Sequence, residues 1–353
     1  MLLLLATLRR PAPPLPAAPL PTVSLLIPVH NERANIEAKM ANIAALRYPE
    51  GALEVLVISD GSTDGTAEYV RDAAEPRTTL FEVQSRGGKA GALNTALPVA
   101  RHDILVFTDA SIILAPDALE RLVAPFVDPE IGCVSGEDRI AGGGGEGLYG
   151  RYELLVRRLE SRLGSIVGAS GSFYGMRRAL CDPFPAGLAP DFWSVLRCVE
   201  QGHRAVTEAS AVGSMTPVAR IEDEFNRKVR TLLRGITTLV AHAHLLSPLR
   251  HGLFAFELWS HKLARWLVPL FLIGALVTSA VLAPGSWFFL AAFAAQALLY
   301  VLAGLAHLGV PPFPNLKLAR VALYFTAVNM ATLVAWIKYF RGVRQEIWSP
   351  SKR

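Results

Sequence analysis

Four short segments combine residue types that handle phosphate, metal ions and protons. Ser59-Asp60-Gly61-Ser62-Thr63-Asp64-Gly65-Thr66 sets two carboxylates among turn and helix-capping residues. Such letters build tight turns and N-caps. They equally leave Asp60 to accept hydrogen bonds from a nucleotide while turn amides face an anion. Pro28-Val29-His30-Asn31-Glu32 offers a carboxylate that either faces a ligand or caps a helix. Phe107-Thr108-Asp109-Ala110-Ser111 ends an apolar run with an acid. An unpartnered carboxylate is costly to bury, so Asp109 needs either a divalent cation or a hydrogen-bonded turn. Gly87-Gly88-Lys89-Ala90-Gly91 places a lone lysine at a glycine-rich helix start. Phosphate is its natural ligand. The spacing of a P-loop is absent, and a solvated lysine explains the same letters.

Rigid elements must hold these segments. From residue 22 to about 213, short β-branched runs alternate with longer helical stretches, which predicts βαβ units and a mostly parallel sheet flanked by helices. Strands are predicted at 23–29, 53–59, 79–83 and 104–108, each apolar on both faces and closed by turn residues. Helices are predicted at roughly 34–46, 66–74, 89–100 and 117–126, with Pro116 near a helix start. Ligands of open α/β sheets gather outside the carboxyl ends of the strands. Glu32, Asp60 and Asp109 each follow or end such a strand.

Of the 353 residues, 52% are hydrophobic and 18% charged, with a mean hydropathy of +0.34. That is too apolar for a purely soluble chain, so part of it belongs in a lipid bilayer. The net charge of +5 sits mainly beside apolar segments instead of on one stripe. Membrane orientation accounts for it, and no nucleic acid is expected as a partner. Cys133, Cys181 and Cys198 are too few for a disulfide framework and form no CxxC pair. A reducing cytosolic face fits. The apolar residues 1–6 are too short for a signal-peptide core, and Arg9-Arg10 follows them where a signal peptide would have its charge first. They read either as the remnant of a transmembrane helix or as a frayed terminus. Six prolines from Pro11 to Pro21 form a stiff linker, so the first domain should start near Thr22.

Taken in order, Val-Ser-Leu-Leu-Ile-Pro-Val-His-Asn-Glu (23–32), Ser-Asp-Gly-Ser-Thr-Asp (59–64), Gly-Lys-Ala-Gly-Ala-Leu-Asn (88–94) and Phe-Thr-Asp-Ala-Ser (107–111) form a recognisable set. They resemble the nucleotide-binding half of the family 2 glycosyltransferases, in the group of chitooligosaccharide, hyaluronan, poly-N-acetylglucosamine and cellulose synthases. Tyr152-Glu153 through Glu160-Ser161, then Gly171-Ser172-Phe173-Tyr174-Gly175 with Arg177-Arg178, resemble the segment that faces the acceptor. Asp191-Phe192, ahead of Gln201-Gly202-His203-Arg204, resembles the position of the catalytic base. The resemblance runs from about Thr22 to Arg234. It implies a GT-A-type α/β fold and inverting transfer from a UDP-sugar, with glucose or N-acetylglucosamine as the sugar. The acceptor it implies is a polysaccharide, oligosaccharide or lipid.

The same resemblance implies a role for each residue. Asp60 contacts the nucleoside, and Pro28 and Glu32 line its pocket. Lys89 meets the diphosphate, Asp109 and Ser111 hold Mg2+ or Mn2+, and Asp191 takes the acceptor proton. Charge developing on the departing diphosphate is what a cation and a lysine stabilise. On its residues alone, Asp191 reads equally as a helix N-cap.

The sequence departs from the family pattern in three places. Ser111 stands where many relatives have a second Asp, and Pro190-Asp191 where they have an acidic pair. Glu224-Phe225-Asn226-Arg227-Lys228 replaces the Gln-x-x-Arg-Trp of processive synthases, so long-chain polymerisation is not expected. Arg227 is left either to meet the diphosphate or to join an interfacial basic helix, 227–234. A lipid glycosyltransferase resembling the ceramide glucosyltransferases is a second enzyme reading. The altered motifs also admit a non-catalytic nucleotide-sugar-binding membrane scaffold.

Apolar runs at about 267–282, 287–306 and 321–337 approach bilayer length and are bordered by Trp, Tyr, Lys and Arg. Residues 254–259 are expected along the interface. The expected organisation is a remnant and linker (1–21), a transferase domain (22–215), linking and interfacial helices (216–265), a transmembrane region (266–340) and a basic tail (341–353). The whole reads as a multi-pass inner-membrane protein with its catalytic domain in the cytoplasm. Lys338, Arg341, Arg344, Lys352 and Arg353 should keep the tail on that side too, whereas three full crossings would put it outside. One segment, the Asn329-containing last one, is therefore expected to be interfacial or re-entrant.

Overall fold

The computed structural model describes residues 19–140, 145–215 and 221–344. Residues 1–6, Arg9-Arg10, Pro11 to Pro16, Lys352 and Arg353, and the side chain of Glu224, lie outside the described residues.

The sheet begins with β1 (Val23–Val29), β2 (Leu53–Asp60), β3 (Thr78–Val83) and β4 (Ile104–Thr108), connected through α1 (Arg33–Ala45), α2 (Thr66–Ala73) and α3 (Gly88–Ala96). These four strands are parallel and ordered β3-β2-β1-β4. β1 and β2 are buried along their full length, as strands covered on both faces must be. Alternation sorts their side chains. Leu25, Ile27 and Val29 pack with Ile36, Met40 and Ile43 of α1, while Leu26, Leu56 and Ile58 pack with Ala90, Leu93 and Ala96 of α3. Each such aliphatic side chain contributes about 1.5–3 kcal/mol on full burial. The winding reverses between β1 and β4, which opens a crevice beyond their carboxyl ends. Glu32 and Asp109 follow those two strands.

The chain then adds β5 (Ile113–Leu114), α4 (Ala118–Val123), β6 (Ile131–Ile140), α5 (Gly145–Leu163), β7 (Phe173–Arg177), α6 (Pro190–Glu200) and β8 (Arg204–Met215). β7 runs antiparallel to both β4 and β6, and β8 pairs parallel with β6. The sheet is thus parallel in its first half and mixed beyond it. Two helices are shorter than their patterns predict. Pro98 disfavours helix at the residue before it, and α3 ends at Ala96. Pro125 lacks an N–H, and α4 gives way to a 3-10 turn at Ala124–Val127.

The C-terminal part is helical: α7 (Ile221–Ala241), α8 (Pro248–Leu258), a π-helical turn (Trp259–Leu263), α9 (Ala264–Leu282), α10 (Trp287–His307) and α11 (Lys317–Phe340). Three stretches, Pro248–Gly285, Trp287–His307 and Lys317–Phe340, are long and apolar enough to cross a membrane. Phe271, Val277, Val281, Trp287, Phe288 and Leu318 stand exposed on them, more apolar surface than water tolerates. α8 is two-sided. Phe254 and Leu258 pack inward with Val167, Leu196 and Leu239, which corrects the expectation that all of 254–259 lies at the interface. Leu249, Phe256 and Trp259 face outward. Leu233 and Ile236 of α7 pack with Ala335 and Trp336 of α11. Trp336 Nε1 donates to the Trp266 carbonyl at 2.9 Å, tying the end of α11 to the start of α9.

Candidate active site

Asp60 closes β2 and is 1% exposed. Its Oδ1 accepts from the Gly87 amide at 2.7 Å and its Oδ2 from the Gly88 amide at 2.8 Å. Gly88 opens α3 at φ +69°, a conformation that disfavours any side chain. The turns after β1 and β2 are knitted together in the same way. Glu32 N donates to Thr66 Oγ1 at 3.0 Å, Arg33 N to Asp64 Oδ2 at 3.0 Å and Thr63 N to the Asn31 side-chain oxygen at 2.8 Å. Asn31 therefore serves the neighbouring turn. Glu32 occupies the N-cap position of α1 without a capping hydrogen bond, and its Oε2 accepts from Asn35 Nδ2 at 2.6 Å.

A cleft of about 490 Å³ opens beyond the carboxyl ends of β1 and β4. It brings together Glu32, Lys89, Asp109, Ser111, Asp191 and Arg227, six of the residues singled out from the sequence. Pro28 and Asp60 are not among its lining residues. Pro28 lies within β1 opposite Ile58, and Asp60 is buried beneath the start of α3.

Lys89 and Asp109 meet inside this cleft. Lys89 Nζ lies 2.5 Å from Asp109 Oδ1 and donates to the Gly171 carbonyl at 2.9 Å. Asp109 N donates to the Ser172 carbonyl at 3.2 Å. The Gly171-Ser172 segment thus joins the end of β4 to the acceptor half. A methyl group on Gly171 would sit 3.7 Å from Asp191 Oδ2, so the same glycine also faces Asp191.

Asp191 stands in the first turn of α6, whose N-cap position is Ala189, and makes no capping hydrogen bond. An aromatic layer fixes that helix on the sheet. Phe107 stacks on Tyr174 at 4.7 Å between centroids, Phe184 meets Phe107 edge-on at 5.5 Å, and Trp193 meets Phe184 at 5.3 Å. Phe107 lies two residues before Asp109 and Trp193 two after Asp191, so this layer sets the spacing of the two acids. On the far side of α6, Phe192 meets Trp266 of α9 at 6.2 Å.

Two cationic residues escaped sequence reasoning. Lys39 is fully buried under the Asp109 turn, donating to Thr108 Oγ1 at 3.1 Å and to the Ile112 carbonyl at 2.9 Å. Burial pulls its ammonium down to about 7, while the Asp109 carboxylate pulls the other way. Its signal was its place in the apolar stripe Ile36, Lys39, Met40, Ile43. Arg234 of α7, read as part of an interfacial basic helix, is 7% exposed and lines the cleft.

Asp109 and Ser111 offer hard oxygen donors on one wall, and no cluster of three His, Cys, Asp or Glu able to hold a metal alone occurs among the described residues. This donor set suits a hard cation shared with a ligand's phosphates, the usual way Mg2+ is held.

Residues 24–183 match the family model described as Glycosyl transferase family 2. This segment is a family 2 glycosyltransferase domain. Across 161 residues the chain is 30% identical to the poly-beta-1,6-N-acetyl-D-glucosamine synthase of Staphylococcus aureus, a match covering 43% of this chain and 38% of that protein. Across 126 residues it is 36% identical to a beta-monoglucosyldiacylglycerol synthase of Nostoc, covering 35% of this chain and 27% of the relative. The chain thus spans well under half the length of these relatives. A solved structure matches far more of it. The mannosyltransferase PcManGT from Pyrobaculum calidifontis, in complex with GDP-Man and Mn2+, superposes with a TM-score of 0.71 at 28% identity, covering 93% of this chain and 90% of that one. The glycosyltransferase domain therefore has the GT-A fold, followed by apolar helices.

Proposed function

We propose that the protein is an inverting, metal-assisted hexosyltransferase that moves a sugar from a nucleotide-sugar to a hydroxyl acceptor at the membrane. The observation that carries this reading is the convergence of Asp109, Lys89 and Asp191 on one cleft, linked through Gly171. The acceptor oxygen attacks the anomeric carbon, the bond to the diphosphate breaks, and the hydroxyl proton passes to Asp191. Lys89 supplies positive charge to the departing diphosphate. When bound, Mg2+ or Mn2+ held by Asp109 and Ser111 would neutralise further charge there. A site that retains these groups in one cleft favours catalysis over a purely scaffolding role.

The favoured donor is a UDP-sugar carrying glucose or N-acetylglucosamine, supported by the family motifs and by the sugars in the names of both sequence relatives. GDP-mannose is a second reading, supported by PcManGT, whose likeness extends over 93% of the chain. The acceptor is a carbohydrate or a lipid.

The catalytic domain is proposed to lie on the cytoplasmic face of the inner membrane, with the basic C-terminal tail beside it. Three full crossings would separate the start of α9 from the end of α11 by about 30 Å. The Trp336–Trp266 hydrogen bond holds those two regions together. This contact supports the reading that one of the three segments, proposed here to be α11, does not complete a crossing.

The test is nucleoside diphosphate release by the membrane-inserted protein from UDP-glucose, UDP-N-acetylglucosamine and GDP-mannose, with and without Mn2+, Mg2+ and added lipid. Metal-dependent release from one donor is expected. Nucleotide binding with no release under any condition would favour the scaffold instead.

A further inference from the structure

Arg234 is a buried charge that the proposed reaction leaves unused. It lies in α7, and its Nε and Nη2 find no hydrogen-bond partner among the described residues. A guanidinium keeps its charge in proteins, and a charge withdrawn from water without a partner is strongly unfavourable. Such a group is suited to receiving an anion.

Its surroundings narrow the choice of anion. Arg227, Arg230 and Arg234 recur at i, i+3 and i+7, so α7 turns one basic face to the cleft, and all three line it. Burial lowers the Arg234 guanidinium from its usual range, and the charge of nearby Asp191 opposes that shift. The Ala189 amide at the start of α6 donates to Thr238 Oγ1, one turn beyond Arg234, which fixes Arg234 on the Asp191 side. Lys89 and Asp109, the groups suited to the donor diphosphate, lie across Gly171. Tyr324 and Val328 of α11, a helix apolar enough to enter a bilayer, complete the cleft.

We propose that Arg234, backed by Arg230, seats a phosphate or phosphodiester group carried by an amphiphilic acceptor whose chains leave past Tyr324 and Val328. A separate hydroxyl of that acceptor faces Asp191. The assignment deepens the transferase reading and rests on it, since it names the acceptor class of the same cleft.

Equilibrium binding to the full-length protein in non-ionic detergent tests it without requiring turnover. The probes are dihexanoylphosphatidic acid, dihexanoylglycerol, inorganic phosphate, UDP and GDP. Dihexanoylphosphatidic acid should bind more than about tenfold tighter than either dihexanoylglycerol or inorganic phosphate, the scale of a charge-assisted contact. Arg234→Gln should abolish the preference over the neutral lipid while leaving nucleotide affinity essentially unchanged, which also reports that the variant is folded. Arg234→Lys should keep part of the preference. Equal binding of the phosphorylated and neutral lipids by the parent protein would overturn the assignment. So would inorganic phosphate matching the lipid, or an Arg234→Gln variant whose loss falls on UDP or GDP instead. Failure of the transferase reading is distinguishable, because it would appear as no sugar-nucleotide turnover while the lipid contrast still held.

Discussion

Lys89 and Asp109 form an ion pair at 2.5 Å, so the group suited to the diphosphate and the carboxylate suited to a cation neutralise each other within the cleft. Asp109→Ala should abolish divalent-dependent donor binding. Lys89→Ala should weaken donor binding by more than about tenfold, the scale of one charge-assisted phosphate contact, while preserving its metal dependence. Calorimetric titration with donor, in Mn2+ and in chelator, separates the two. Metal-dependent binding by Asp109→Ala would remove Asp109 from the metal site.

Lys39 should give the protein a distinctive pH dependence. Its ammonium titrates near 7 in the fold, against 10.5 for a free lysine. Between these values the unfolded chain holds more protons than the folded one, so stability rises with pH across that window. Lys39→Met removes the titration but leaves Thr108 and the Ile112 carbonyl without their donor. The Tm of the variant minus that of the parent should therefore fall as pH rises from about 7 to about 10. A Tm difference independent of pH would show that Lys39 titrates in the fold as it does in the unfolded chain.

The end of α11 should lie on the catalytic side of the membrane. Val343 is exposed just beyond that helix. In intact cells a Val343→Cys variant should resist a membrane-impermeant thiol reagent, and it should react once the membrane is opened. Labelling in intact cells would restore three full crossings.

The sequence located the parallel half of the sheet well, because the doubly buried β1, β2 and β4 leave short β-branched runs closed by turn residues, although β3, expected to be covered on both faces, is partly exposed. β1 and β4 fall on the expected residues. The acceptor half was less legible. β8 spans Arg204–Met215 with mixed burial, and only the turn before it carried a pattern. The antiparallel insertion of β7 between β4 and β6 depends on contacts over long sequence separations, to which periodicity is blind. Six of the site residues reach one cleft, since motifs at strand ends are placed by the sheet itself. Lys39 and Arg234 stayed hidden because a charged residue reads as solvated until its burial is known. Lys39 finds Thr108 across 69 positions, a relation with no local signal.

Asp191 bears the central claim, since efficient attack by a hydroxyl requires a base on the acceptor side of the donor. It does not occupy the N-cap position of α6, so Asp191→Asn removes a base without removing a cap. The decisive measurement is the single-turnover rate of sugar transfer by Asp191→Asn, with donor affinity determined on the same preparation. The expected result is unchanged donor affinity and a rate lower by roughly 10²–10⁴-fold, the scale of general-base assistance. Transfer at the parental rate would contradict it and leave Asp191 without a catalytic role.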